Sequence, residues 1–394
     1  MRSLYRIVHT SCQTGWGGLE KRIFNEAMWM ENQGHHVVIV APGGTPLFTK
    51  AREFGFRVYD IPFKRRSIIK DYKRLKQIFE TEQPHILNTH GNIDSKIALP
   101  AARKTGVPCR ILSRHINAPV KNSWYNKKIY KRLNHFIFTT ADHTTQHLQQ
   151  TFKLKGMEIF TMPTGIMEPE KLVPKAEARK ALATELSLDP DTRFIGFIGN
   201  VTQDKGVDII LAALKRIQSH IPHHLVVVGN VNPETLTKLT ALAKKLNIEK
   251  RVHFTGFKED IWPYHRAFDC KVLSAKNNNT IPFEAFPQAL LEAMYSSCPV
   301  IAPKVSPITD ILIDKQTGLL FDPEKPDELA SMILDTLKNE AATLERVHQA
   351  REEVKKNHTI DAMGRNIIRI YRLHQVKIAR RYIPDNDSRG YYFE

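Results

Sequence analysis

Short apolar runs alternate with longer stretches of helical periodicity along the whole of this 394-residue chain. In the first half the strand candidates are Leu4–His9, His36–Ala41, Arg57–Asp60, Ile86–Thr89, Cys109–Ser113 and His135–Thr139. Amphipathic patterns lie between them, as at Leu19–Gln33 and Ser67–Glu82. Repeated strand-then-helix alternation predicts an α/β chain with a parallel, helix-covered sheet. The pattern breaks at Pro163-Thr164-Gly165-Ile166 and the polar, Pro-rich stretch Met167 to Pro174, which reads as a linker. It then restarts, with strand candidates Phe194–Ile198, Leu225–Val228, Val252–Thr255, Lys271–Ser274 and Val300–Ala302. Two separate α/β units are expected, followed by a long helical pattern from Thr359 to about Arg381.

Composition narrows the class. The hydrophobic share is 42% and the charged share 25%, as in an ordinary globular protein. No run of about 18 apolar residues suggests a membrane-spanning helix. Arg6 interrupts the apolar start of the chain, so a secretory leader is not expected. Cys12, Cys109, Cys270 and Cys298 form no C-x-x-C pair and read as core thiols of a reducing compartment, the cytoplasm. The charge is lopsided. Residues 1–170 hold 26 Lys and Arg against 13 Asp and Glu, a net of +13 out of +17 for the chain. The excess clusters at Lys64-Arg65-Arg66, Lys70, Lys73-Arg74 and Lys76, and again at Lys121, Lys127-Lys128 and Lys131-Arg132. Such a surface attracts anionic membrane, phosphorylated ligands or nucleic acid, or is simply solvated. The nucleic-acid reading lacks an aromatic strand motif or a helix-turn-helix pattern, so no nucleic-acid partner is expected.

Four segments could carry chemistry. Gly199-Asn200-Val201-Thr202-Gln203-Asp204-Lys205-Gly206 links a strand to a helix, the position where doubly wound sheets bind ligands. Lys205 there offers a point charge for a phosphate. Gly15-Trp16-Gly17-Gly18 follows the first strand; it is not G-x-G-x-x-G, but the Gly17-Gly18 pair could admit a ligand to backbone amides, or be only a tight turn. His115 and His90 each end a strand candidate. Finally, Glu284 and Glu292 stand eight residues apart around Phe286, Pro287, Gln288 and Ala289. Pro287 suits the first turn of a helix, whose free amides at Phe286, Gln288 and Ala289 would face a ligand. By spacing alone the two glutamates could equally form a solvated helix face or cap. Lys276-Asn277-Asn278-Asn279-Thr280, just ahead of them, reads as a loop.

The residue order from Glu284 to Met294 resembles the E-x7-E signature of retaining glycosyltransferases of family 4, the group 1 glycosyl transferases. The resemblance implies the GT-B fold, two Rossmann-like domains facing across a cleft. The first, an acceptor-binding domain, would be residues 1–167. The second, a nucleotide-sugar-binding domain, would be 168–374, with a helix at about 375–394 packing back on the first. It implies that Glu284 meets the donor sugar and Glu292 the nucleotide ribose, while Gly199, Asn200, Phe286, Pro287, Gln288 and Ala289 also border the donor. Lys205 takes the family's phosphate-binding lysine position in its G-R-x4-K-G loop, with Asn200 where the family commonly has Arg. Gly17 and Gly18 would lie near the phosphates and acceptor. His115 would contact the donor sugar, with His90 as a second possibility. The expected catalytic set is therefore Glu284, His115 and Lys205.

The expected reaction moves a sugar, with a UDP-sugar as the expected donor, to a glycan or lipid-linked acceptor in bacterial lipopolysaccharide or surface-polysaccharide assembly. The expected location is the cytoplasmic face of the membrane, held peripherally by an anionic surface. No cofactor or tightly bound metal is expected; Asp189-Pro190-Asp191 reads as a turn and Asp385-Asn386-Asp387 as a loop. Other readings are a nucleotide-sugar 2-epimerase of the same fold, a basic nucleic-acid-binding protein and, because of Asn200, an inactive transferase-like partner. Oligomeric state stays open.

Overall fold

The computed structural model describes residues 4–116, 119–154, 158–274, 276, 288–306 and 308–382, with side chains described as far as Gln375. Glu284, Phe286 and Pro287, and the Asp385–Asp387 segment, lie outside the described residues.

Two parallel sheets form. Strands β1 (Arg6–Thr10), β2 (His36–Ala41), β3 (Arg57–Asp60), β4 (Ile86–Thr89), β5 (Cys109–Arg114), β6 (Phe136–Thr139) and β7 (Ile159–Thr161) make the first, in the order β3-β2-β1-β4-β5-β6-β7. Strands β8 (Phe194–Ile198), β9 (His224–Val228), β10 (Val252–Gly256), β11 (Cys270–Val272), β12 (Val300–Pro303) and β13 (Leu319–Phe321) make the second, in the order β10-β9-β8-β11-β12-β13. The inner strands read as unbroken apolar runs because helices cover both faces. Sequence periodicity did not reveal β7 and β13. Each has three residues and closes a sheet edge, too short to leave a period.

Strand order reverses direction once in each sheet. In the first, β1 lies between β2 and β4, with Ile7 opposite Val37 on one side and Ile86 on the other. In the second, β8 lies between β9 and β11. Helices leave opposite faces at such a point, and a crevice opens at the strands' carboxyl ends.

The chain crosses between the units twice, and the crossings are tied together. Ile166 N–H donates to His358 O at 2.8 Å, and Ile360 N–H donates to Ile166 O at 2.8 Å. Gly165 permits this approach, since a Cβ there would stand 2.4 Å from Thr359 O. The returning helix spans Ile360–Tyr382, so the return begins well before the expected position near 375. Ile360, Met363, Ile367 and Tyr371 sit in the core of the first unit. Gly364 lies against the Trp29 ring, and Trp29 Nε1–H donates to Asp361. Periodicity located this helix; which core its apolar face enters depends on the second crossing.

Candidate active site

In the first unit the carboxyl ends of β1, β4 and β5 present three histidines in a row. His9 Nδ1 is 2.9 Å from His90 Nε2, and His90 Nδ1 is 2.9 Å from His115 Nε2. Successive rings stack with centroids 5.2 Å apart. Burial holds all three uncharged: His9 falls to about 3, and His90 and His115 fall well below the usual histidine range, His115 further disfavoured by Arg22 and Arg114. One hydrogen bridges each gap, so a single tautomer choice runs through the stack. In one arrangement His115 presents an N–H at Nδ1, in the other a lone pair. Among the described residues that buried atom has no hydrogen-bond partner.

Asp94 fixes the base of the stack. Its carboxylate accepts from Thr10 Oγ1 at 2.8 Å and from the His90 and Gly91 amides at 3.2 Å each. Beneath lies a second buried group. Arg22 donates to Met162 O at 2.7 Å and to Thr164 Oγ1 at 2.9 Å, which ties the first helix, Gly18–Asn32, to the linker. Burial raises Glu26 to about 7, opposed by Arg22 and by a hydrogen bond from Asn88. Asn88 in turn accepts from Ser113 at 2.7 Å.

Gly17 and Gly18 begin that first helix, and the Gly17 amide donates to Glu20 at 2.6 Å. They face the other unit: a Cβ on Gly18 would lie 3.9 Å from Gln288 Oε1. Together with Arg22, His115, Thr164 and Gln288 they line a cleft cavity of about 350 Å³ between the two units. Its lining thus includes Gly17, Gly18, His115 and Gln288, all expected site residues. His90 lies one ring behind His115.

In the second unit the segment Gly199–Gly206 leaves β8 and ends in one helical turn, Gln203–Lys205, before helix Val207–Ile217. Ser274, just past β11, donates to Lys205 O at 2.7 Å and to Gly206 O at 2.9 Å. Lys276 adds an amide bond to Asp204 O at 2.9 Å and an ion pair with Asp208 at 2.7 Å. The lysine loop is therefore stapled to the segment that leads to Glu284. Lys205 is half-buried and Asn200 exposed.

Helix Gln288–Tyr295 carries Glu292, whose carboxylate lies 3.9 Å from His265 Nε2. His265 is fully buried and lowered to about 4 by burial and by Lys271, so it is uncharged. Lys271, also fully buried on β11, donates through Nζ to Ala289 O and fixes the start of the glutamate helix.

Several of these residues were not expected. His9, Arg22, Glu26, Lys271 and His265 sit where only strand register and packing reveal them. Gly229 left a readable signal: Gly229-Asn230-Val231 after β9 repeats Gly199-Asn200-Val201 after β8. The repeats lie side by side. Gly199 N–H donates to Val228 O at 3.0 Å, Val201 N–H donates to Asn230 O at 2.8 Å, and Val201 bridges Val231.

Two further features lie apart from the cleft. Asp189 accepts from the Asp191 amide at 2.8 Å, so the D-x-D segment is a turn. Cys109, His135 and His374 bring potential ligand atoms within 4.8 Å of one another. However, His374 Nε2 lies 3.0 Å from Pro108 O, the Arg110 backbone amide donates to His135 Nδ1 at 3.1 Å, and the Arg110 guanidinium lies 3.1 Å from His135 Nε2, so a guanidinium opposes a cation there. Among the described residues no helix is long and apolar enough to cross a membrane.

Comparison with known proteins gives concordant findings. The family model described as Glycosyl transferases group 1 matches residues 179–357, and that described as Glycosyltransferase Family 4 matches residues 16–167. A D-inositol 3-phosphate glycosyltransferase of Mycolicibacterium gilvum is 24% identical over 382 residues, spanning 91% of this chain and 82% of that protein. Among solved structures, a glycosyltransferase from Rickettsia africae superposes with a TM-score of 0.83 at 19% identity, over 94% of this chain and 99% of the other. The Anabaena protein HepE, solved in complex with UDP and glucose, gives 0.73 at 16% identity, over 93% and 98%.

Proposed function

We infer the reaction from one premise: the chain belongs to the group 1 glycosyl transferases of glycosyltransferase family 4, has their GT-B fold, and is a glycosyltransferase. It takes a sugar from a nucleotide-sugar, with UDP as the nucleotide, and passes it with retention to a glycan or lipid-linked acceptor. The observation that carries this reading is the cavity between the units, which Gly17, Gly18 and His115 line from the first unit and Gln288, at the start of the helix that carries Glu292, lines from the second. The stapled Lys205 loop belongs to that second unit.

The chemical difficulty is negative charge growing on the departing diphosphate. Lys205 and the helix start behind it supply positive potential to that group. Glu292 accepts from the ribose hydroxyls and Glu284 orients the sugar. His115, uncharged, offers the sugar a hydrogen bond without placing a competing cation in the cleft. No side chain is assigned as a nucleophile.

Calorimetric titration of wild type and Glu292→Ala with UDP, GDP, ADP and CMP tests this. UDP is expected to bind wild type, with about tenfold weaker binding by the variant once the ribose hydrogen bonds are lost. A wild type that binds none of the four sinks the donor assignment. An epimerised donor appearing without an acceptor would favour the 2-epimerase reading instead.

The acceptor side suits the cytoplasmic face of a membrane and the assembly of lipopolysaccharide or another surface glycan. Ile69 is 75% exposed and Trp124 is 74% exposed, among the basic residues Arg65, Arg66, Lys70, Lys121, Lys127 and Lys128. Exposed apolar side chains within a basic surface are what an anionic bilayer binds, each nearby Lys or Arg contributing about 1 kcal/mol. Vesicle pelleting is expected to favour anionic over neutral lipid, with less protein recovered for Ile69→Glu. Equal recovery on both lipids would remove the membrane from this reading.

A further inference from the structure

A second cavity, of about 610 Å³, opens beside His115 entirely within the first unit. It lies at the carboxyl ends of β4 and β5 and against helix Asn92–Lys104. Arg65, Lys96, Arg114 and Lys121 line it, and no carboxylate does so among its described lining residues. Asp94, on the same helix as Lys96, is buried and engaged by Thr10 and the His90 and Gly91 amides. Four like charges around one concavity repel one another, and an anion inside relieves that repulsion.

The arrangement is built rather than incidental. Arg114 and Lys96 are half-buried in the wall, while Arg65 and Lys121 are exposed. Arg114 and Tyr130 line the same wall, and the Tyr130 ring stacks on Phe152 with centroids 4.6 Å apart. His115 lines this cavity as well as the cleft cavity, and Gln13 and Ile116 are shared by both. A molecule anchored here by its anionic end therefore has a short way to the place where the sugar is transferred.

We propose that this cavity binds the phosphate or diphosphate of the acceptor, through Lys96 and Arg114 in the wall with Arg65 and Lys121 beside them. The proposal rests on the transferase reading and adds that the acceptor is phosphorylated. It also gives the chain two anion sites, one on each unit: the donor's at Lys205 and the acceptor's here.

Inorganic pyrophosphate is the probe, titrated calorimetrically at physiological ionic strength into the full chain. Lys205→Ala removes the donor-side contact and isolates the cavity. Pyrophosphate is expected to bind Lys205→Ala, and at least about tenfold more weakly when Lys96→Gln and Lys121→Gln are added, the loss of one or more charge-assisted contacts. UDP affinity of the Lys96→Gln, Lys121→Gln double variant is expected to match wild type, which also reports that it folds. Failure of pyrophosphate to bind Lys205→Ala, or equal binding after the cavity substitutions, overturns the proposal. Loss of UDP binding by wild type would instead sink the donor assignment and leave the cavity result standing.

Competition then identifies the source of the phosphate. Displacement of pyrophosphate by glucose 1-phosphate supports a soluble sugar phosphate. Displacement by phosphatidylcholine vesicles carrying a polyprenyl diphosphate, but not by bare vesicles, supports a lipid-carried one. Displacement by neither overturns the assignment to an acceptor.

Discussion

Lys205→Ala is expected to lower kcat/KM by about two to three orders of magnitude, the usual loss when one preorganised charge-stabilising donor is removed. The reason lies in how its loop is held. The turn Gln203–Lys205 closes on Gly206, which takes a left-handed φ of 61°. Ser274 then hydrogen-bonds both the Lys205 and Gly206 carbonyls, locking the loop to the end of β11. An ammonium group mounted on so fixed a backbone need not reorganise as charge moves onto the leaving diphosphate. The loss should therefore appear in kcat as well as in donor KM. Uridine, which lacks the diphosphate, should bind wild type and variant alike, whereas UDP should bind the variant less tightly. Lys205→Arg should recover part of the activity, since charge is restored with altered geometry. If Lys205→Ala retains activity within a few-fold of wild type, the lysine does not meet the diphosphate.

Gly229→Ala should do comparable harm by a different route. Gly229 follows β9 directly, with φ of 142°, a conformation that side chains rarely adopt. A Cβ there would fall 1.9 Å from the Gly199 carbonyl oxygen, a backbone atom that cannot turn aside. Gly229 is itself anchored, its amide donating to Gly256 O at 2.9 Å. The added methyl must push apart the ends of β8 and β9, and with them the loop that carries Lys205. Strain at the residue and overpacking together suggest a destabilisation of about 3 kcal/mol. Urea unfolding should show a lower midpoint, and UDP binding should weaken even where the variant is folded. Asn230→Ala, one residue on and exposed, should unfold within about 0.5 kcal/mol of wild type. A Gly229→Ala protein that unfolds at the wild-type midpoint would show that the two strand ends separate at little cost.

Gly229 also illustrates what can be read without seeing its meaning. The Gly-Asn-Val repeat is visible in the chain, but only parallel pairing of β8 with β9 sets one glycine against the other. The histidines are similar. His115 and His90 could be singled out because each ends a strand candidate. Their linkage through His9 needed β1 to lie beside β4, and β4 beside β5, in a register that sets His9 opposite Asn88 and Thr89 opposite Leu112, so that the histidines step outward from strand to strand. Buried charges left no trace at all. Lys271 reads as an ordinary lysine until its strand is central and its Nζ meets the Ala289 carbonyl. The return of the last helix, expected near 375 and found from Ile360, turned on a crossing made by the backbone bonds of Ile166 with His358 and Ile360, residues nearly 200 positions away.

The sequence by itself determined the alternation of strands and helices, the two-unit plan, the lysine loop at Gly199–Gly206 and the basic bias of the first half. These are local quantities: apolar runs, helical periods, turn residues and charge, each expressed within about twenty neighbouring positions. Tertiary structure decided which strand ends became neighbours, that Gln288 faces Gly18, that four cations converge on one cavity beside His115, and that the final helix completes the first core. Those outcomes depend on strand order and on contacts between distant segments, and no local pattern encodes either.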